Sequence, residues 1–226
     1  MDDAEVARLR TAFARRRPLL EEVATSLCDL AETGLSTYDH RHVDRIYFRA
    51  KSVESFVNKV RKRAAAAAAG EVRDGFPLVA YRSPLTQVED QVGGRVLVFF
   101  QHDIERVVRL LLTTFNAMEM QDKTPPKDAE FGYESTHLVC QIPDHIRPSA
   151  WSSEGQMPET FELQVRTLFM HAWAEPQHDL GYKGPGDLTK LQKKRLAWIA
   201  ASAWGADRGL GDLWDEVGPS VYGDSS

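Results

Sequence analysis

The spacing of hydrophobic and polar positions changes once within residues 161–183, FELQVRTLFMHAWAEPQHDLGYK. Phe161, Leu163 and Val165 alternate with Glu162, Gln164 and Arg166, so an extended chain turns the first set toward a core and the second away from it. A helical spacing follows, in which His171, Glu175, His178 and Tyr182 share a face. The pattern predicts a strand over 160–166, carrying an acid, an amide and a base in a row, and a helix over 167–182. Upstream, Val6, Leu9, Phe13, Leu20, Val23, Leu27 and Leu30 recur at helical spacing over 3–33, with Gly34 as the stop. Pro18 allows a break into two helices. A short strand over 46–51 and a helix over 52–69 come next, the helix opened by Ser52 as N-cap with Glu54 in its first turn.

RVLVFF at 95–100 reads as a buried strand. The apolar stripe Ile104, Val107, Val108, Leu111, Leu112 and Phe115 predicts a helix over 103–116. Further elements are a strand over 135–142 and a helix over 187–204. Residues 70–84 and the Pro125–Pro126 region at 121–132 read as loops, and 217–226 as a frayed tail. Strands interleaved with helices predict an α/β or α+β fold, a mixed sheet flanked by helices.

Composition narrows the function. The 226 residues suit one large domain, or one domain with helical extensions. A net charge of −5 excludes a generic polyanion binder, so any phosphate site must come from local clustering of base. Cys28 and Cys140 are too few for a disulfide framework or a cysteine zinc centre. The acidic N-terminus lacks a signal peptide's apolar region, and no run approaches the roughly 20 apolar residues of a membrane span. A cytoplasmic protein without a membrane partner is the expectation. Neither GxxxxGK[ST] nor GxGxxG occurs.

Four clusters carry candidate chemistry. Arg49, Lys51, Ser55 and Lys59 converge across a strand–helix turn and suit a polyphosphate, which a helix N-terminus also favours; a solvated basic face is the bland alternative. Asp90 and the glycines of DQVGGR precede a buried strand, where a carboxylate suits Mg2+ and Arg95 enters the strand, or where an ordinary loop stands. Tyr133, Ser135 and His137 share a face if extended, offering a stacking ring and a hydrogen-bonding imidazole. Glu162 completes a two-carboxylate Mg2+ set with Asp90 or acts as a base, unless it merely neutralises Arg166. His171, Glu175 and His178 lack the HExxH pattern of a zinc helix.

Taken in order, RAKSVESFVNK, EDQVGGRVLVFF, FGYESTH and FELQVRTLFMHAWAEPQHDLGYK resemble the synthetase domain of the RelA/SpoT alarmone synthetases, in their stand-alone small form. The resemblance covers residues 40–185 and implies a nucleotidyltransferase-like synthetase domain, with a helical extension over 1–39 and a C-terminal helix and tail over 186–226. It implies transfer of the β,γ-diphosphate of ATP to the ribose 3′-hydroxyl of GDP or GTP, making (p)ppGpp. By it, Arg49, Lys51, Ser55 and Lys59 grip ATP, and Asp90 and Glu162 hold Mg2+. Tyr133, His137 and Gln164 take the acceptor, and Arg95 and Arg166 orient phosphate or the metal-bearing loop. Glu130 and Phe131 stand before Gly132 where Lys or Asn is common, and Glu134 where Arg is common. Those acids would repel a 5′-diphosphate. They leave open a toxic relative that modifies the 3′ end of tRNA, held by Arg15–Arg17 and Arg61–Arg63, or one that makes an adenosine alarmone. A non-catalytic nucleotide-binding regulator is a third reading. A second copy of the chain or an antitoxin are the protein partners these readings allow. The family's hydrolase domain has no counterpart here, since His102-Asp103 and His178-Asp179 fall inside synthetase-like segments.

Overall fold

The computed structural model describes residues 2–73, 75–123, 131, 135–155, 157–182 and 188–222. Helix α1 (Asp3–Gly34) is continuous. It is capped by Asp2, whose carboxylate accepts the Glu5 N–H at 2.7 Å. Pro18 does not divide it, because Phe13 on one side and Leu20, Val23 and Leu27 on the other are buried in one core. That shared packing outweighs the single hydrogen bond a proline removes. Gly34 is the last residue of α1, as its spacing predicts, and a Cβ there would fall 2.1 Å from the Thr114 hydroxyl, so it also lets two helices approach.

Strand β1 (Val43–Ala50) leads into α2 (Val53–Ala68), followed by a small hairpin, β2 (Val72–Arg73) and β3 (Phe76–Pro77), and a single turn, α3 (Pro84–Gln87). Then come β4 (Val92–Val98), α4 (Gln101–Thr114), β5 (Ala117–Lys123), β6 (Ser135–Gln141), β7 (Thr160–Thr167), α5 (Leu168–Tyr182) and α6 (Lys190–Tyr222). Two expectations are corrected. Residues 121–123 belong to an edge strand rather than a loop, because AMEMQDK is almost wholly exposed and offers no apolar alternation to read. Residues 217–222 continue α6 rather than forming a tail. Strand β4 begins three residues earlier than predicted, taking in the glycines, and residues 70–84 hold the hairpin and turn.

The main sheet is mixed, in the order β1-β4-β7-β6-β5. Only the β4–β7 pair is parallel. Its register sorts the side chains into two faces. Val92, Val96, Val98, Leu138, Cys140, Phe161, Leu163 and Val165 join Val23 and Leu27 of α1 and Val107 and Leu111 of α4 in one core. Each such buried side chain contributes about 1.5–3 kcal/mol relative to exposure. On the opposite face Tyr47, Arg95, Gln164, His137 and Gln121 are register partners across all five strands. Beside that row lies a second, Arg49, Gly93, Glu162, Val139 and Glu119. No helix among the described residues is long and apolar enough to cross a membrane.

A side chain at Gly94 would enter the core face, its Cβ 2.2 Å from Phe48 Cε1. Gly94→Ala is therefore expected to destabilise the protein by about 1–3 kcal/mol in denaturant unfolding. Combined with Phe48→Leu, the two costs should sum to less than their separate values. Additive costs would place the strain elsewhere.

Candidate active site

The end of β1 and the start of α2 form the first wall. Ser52 adopts an extended backbone and its hydroxyl accepts the Ser55 N–H at 3.2 Å, so the chain turns into α2 at the predicted cap. Lys51 has left the strand, and its N–H donates to the Gln91 carbonyl at 2.8 Å. That bond sets the segment before β4 beside it. The Lys51 ammonium meets Asp90 Oδ2 at 2.7 Å, and Lys59, two turns along α2, lies 2.9 Å from Asp90 Oδ1. Burial works against a charged Lys59, but the Asp90 carboxylate outweighs it and holds the pKa above the ordinary lysine range.

Glu162 stands on the sheet floor. Its Oε1 lies 2.8 Å from His137 Nδ1 and accepts the Gln164 amide at 2.8 Å. Burial alone would raise its pKa. Hydrogen bonds from His137 and Gln164, with the charges of His137 and Lys59, hold it at about 2 instead. Beside it Arg95 is fixed on three sides: it donates to the Tyr47 hydroxyl at 2.8 Å and Gln164 Oε1 at 3.3 Å, and pairs with Glu175 at 2.8 Å.

Arg166 departs from the role the resemblance implied. Its side chain is 2% exposed, and its Nη2 meets His171 Nδ1 at 2.7 Å and Glu175 at 3.0 Å. It anchors α5 on the sheet face that also carries Arg95 and Gln164, and does not line the cleft. It pairs with Glu175 rather than with Glu162. The same contacts commit Glu175 to two guanidinium groups, which leaves no helical zinc arrangement with His171; the His178 side chain lies outside the described residues. Burial and the Arg166 charge lower the His171 pKa.

A cleft of about 530 Å3 joins these parts. Arg49, Lys51, Ser55, Asp90, Arg95, Glu162 and Gln164 line it, while Lys59 and His137 act on it through Asp90 and Glu162. Tyr133, with Glu130 and Glu134, lies outside the described residues. Sequence reasoning missed the wall that α1 supplies through Arg17, Glu21 and Thr25, and it missed Tyr47. Tyr47 shares the strand spacing of Arg49 and was findable. The α1 wall exists because β1 is an edge strand, and nothing local encodes it. Two carboxylates, Asp90 and Glu162, match the preference of Mg2+ for hard oxygen ligands, so the donor set fits that ion.

The model of the region found in RelA / SpoT proteins matches residues 48–187. The chain belongs to that family. Among its relatives is the GTP pyrophosphokinase YjbM of Bacillus subtilis (strain 168), 26% identical over 219 residues, which span 96% of this chain and 92% of the relative. The fold is shared with a GTP pyrophosphokinase family protein from Streptococcus pneumoniae, at 24% identity and a TM-score of 0.65, over 96% of each chain. It is shared too with the small alarmone synthetase 1 from Bacillus subtilis bound to its product pppGpp, at 24% identity and a TM-score of 0.64, over 95% of this chain and 99% of that one.

The low pKa of Glu162 has a signed consequence. A carboxylate whose folded pKa lies below its ordinary 4.5 contributes stability that is fully present above that value and is lost as pH falls toward about 2. In urea unfolding, Glu162→Gln should flatten the decline between those two limits by up to about 2–3 kcal/mol. An unchanged acid limb would mean that Glu162 is not held ionised by its neighbours.

Proposed function

We propose that this protein is a pyrophosphokinase that moves the β,γ-diphosphate of ATP to the ribose 3′-hydroxyl of GDP or GTP. The observation that carries the reading is Asp90 clasped between Lys51 and Lys59, across the cleft floor from an ionised Glu162. Family membership and the named activity of YjbM support it. Transfer of this type asks for positioning and charge neutralisation more than for covalent chemistry. Arg49, Lys51, Lys59 and the Ser55 hydroxyl at the α2 N-terminus would grip the donor phosphates. Asp90 and Glu162 would hold Mg2+, which neutralises phosphate charge when bound. An incoming polyphosphate takes over the two lysines, and Asp90 is released to hold the cation. A carboxylate with a pKa of about 2 has little affinity for a proton near neutrality, so Glu162 serves better as a charge than as the base for the 3′-hydroxyl. Gln164 and His137, on the same row, would face the acceptor, with Tyr133 stacking on its base.

The tRNA reading draws on Arg15–Arg17 and Arg61–Arg63. In the first cluster Arg16 is 5% exposed and donates to the Leu85 carbonyl, and Arg17 pairs with Glu21. In the second, Arg61 and Lys62 are exposed, so tRNA stands as the alternative acceptor.

Incubation with labelled ATP and GDP, GTP, ATP or bulk tRNA should label the guanosine nucleotides. Label on tRNA alone would replace the acceptor, and no label at all would leave a nucleotide-binding regulator. Asp90→Asn and Glu162→Gln should each abolish transfer with folding intact; activity within about tenfold of wild type, roughly 1.4 kcal/mol, would remove them from the site. Tyr133→Ala should raise the acceptor concentration required by an amount worth about 1–3 kcal/mol, while Tyr133→Phe keeps most of it. Equal damage from both would assign the role to the hydroxyl.

A further inference from the structure

We propose that His42, His102 and Asp103 form a binding site for one divalent transition-metal ion, with Zn2+ the best match, joining the start of β1, the first turn of α4 and α6. None of the three lines the nucleotide cleft, and the inference stands whether or not the proposed transfer does. One ligand atom from each lies within 4.8 Å of the other two. Asp103 is fully buried, and its Oδ2 stands 2.9 Å from His42 Nδ1.

The third ligand is set differently. His102 Nε2 approaches Asp103 Oδ1 to 3.5 Å, too far for a good hydrogen bond. The two imidazoles thus approach different oxygens of one carboxylate, His42 at Oδ2 and His102 at Oδ1, and an ion between them would draw the three donors together from separations of up to 4.8 Å.

The surroundings are those a metal site uses to orient its ligands. The Tyr38 hydroxyl donates to Asp103 Oδ1. On the far side of the His102 ring, Asp215 Oδ1 lies 3.9 Å from Nδ1, close enough to orient the ring if the contact tightens. Phe100 and Trp214 pack on His42, with ring centroids at 5.2 and 4.8 Å, and exclude water from one side. The His102 side chain is 34% exposed and gives an ion a way in. Two imidazoles and one carboxylate suit Zn2+, whereas Mg2+ and Ca2+ prefer all-oxygen sets, so this site and the Asp90–Glu162 pair select different ions.

The test is Zn2+ titration of chelator-stripped protein by calorimetry, in millimolar Mg2+, with metal counting by mass spectrometry and thermal unfolding with and without Zn2+. One Zn2+ per chain and a Zn2+-dependent rise in Tm are expected. His102→Ala, at a position 34% exposed, should weaken binding at least about tenfold and remove the Tm rise, and His102→Phe, which keeps the ring stacked on Phe100, should do the same. Asp215→Asn should weaken it less, and none of these variants should change Tm in the absence of Zn2+ by a comparable amount. Absence of saturable binding near one per chain would overturn the site and leave a hydrogen-bonded tie between helices. So would binding that His102→Ala leaves unchanged.

Discussion

A pleated strand cannot turn consecutive side chains to one face, and this sheet is organised around that restriction. Once α1 and α4 cover the side bearing Val96, Leu163 and Val165, the residues between them have one place to go. Arg95, Glu162 and Gln164 stand on the other face because their neighbours are core. Register then assembles what alternation sorts. Tyr47, Gln164 and His137 come opposite Arg95 or one another only because β4 and β7 run parallel while β1 and β6 run antiparallel to them. A slip of one residue in β7 would bury Glu162 and expose Phe161, so the same burial that stabilises the fold holds the site in place.

The charges on that floor hold each other in place. Glu175 joins the Arg95 and Arg166 guanidiniums and so fixes α5 against the sheet. Removing one partner of such a group leaves an uncompensated, partly buried charge, which costs more than the pair contributes. Asp90 differs in its partners, two lysines at one wall of the cleft. The Arg95–Glu175–Arg166 network ties α5 to the sheet. On the proposed function, a phosphate would take over the two lysines of Asp90 while a cation takes up its carboxylate.

The strands and helices were legible where apolar spacing is strict, as in α4 and β7, and α2 begins at the cap that Ser52 announces. The edge strand β5 was not, since an exposed strand carries no core-facing alternation. The cleft residues were legible as types at spacings, and their convergence came from the family resemblance. What spacing could not assign was partnership. Arg166 sits in the same alternating row as Glu162 and Gln164, yet α5, folded back over that same face, supplies Glu175 and His171 and buries it. The α1 wall was illegible for a related reason: long-range packing at an edge strand places Arg17, Glu21 and Thr25 beside Arg49, and no local pattern reports it.

Net charge also separates local from global electrostatics. A molecule of −5 does not draw in a polyphosphate by its overall field. Attraction has to come from cations gathered within about 8 Å, the screening length at physiological salt, and Arg49, Lys51, Lys59 and Arg95 are gathered at one cleft. Two of them are already committed to Asp90 and one to Glu175, so the empty cleft is close to neutral rather than strongly positive. A near-neutral cleft attracts stray anions weakly. On the proposed function, a polyphosphate that brings its own cation would satisfy the lysines and Asp90 together, whereas a simple phosphate taking the lysines would leave Asp90 without a partner.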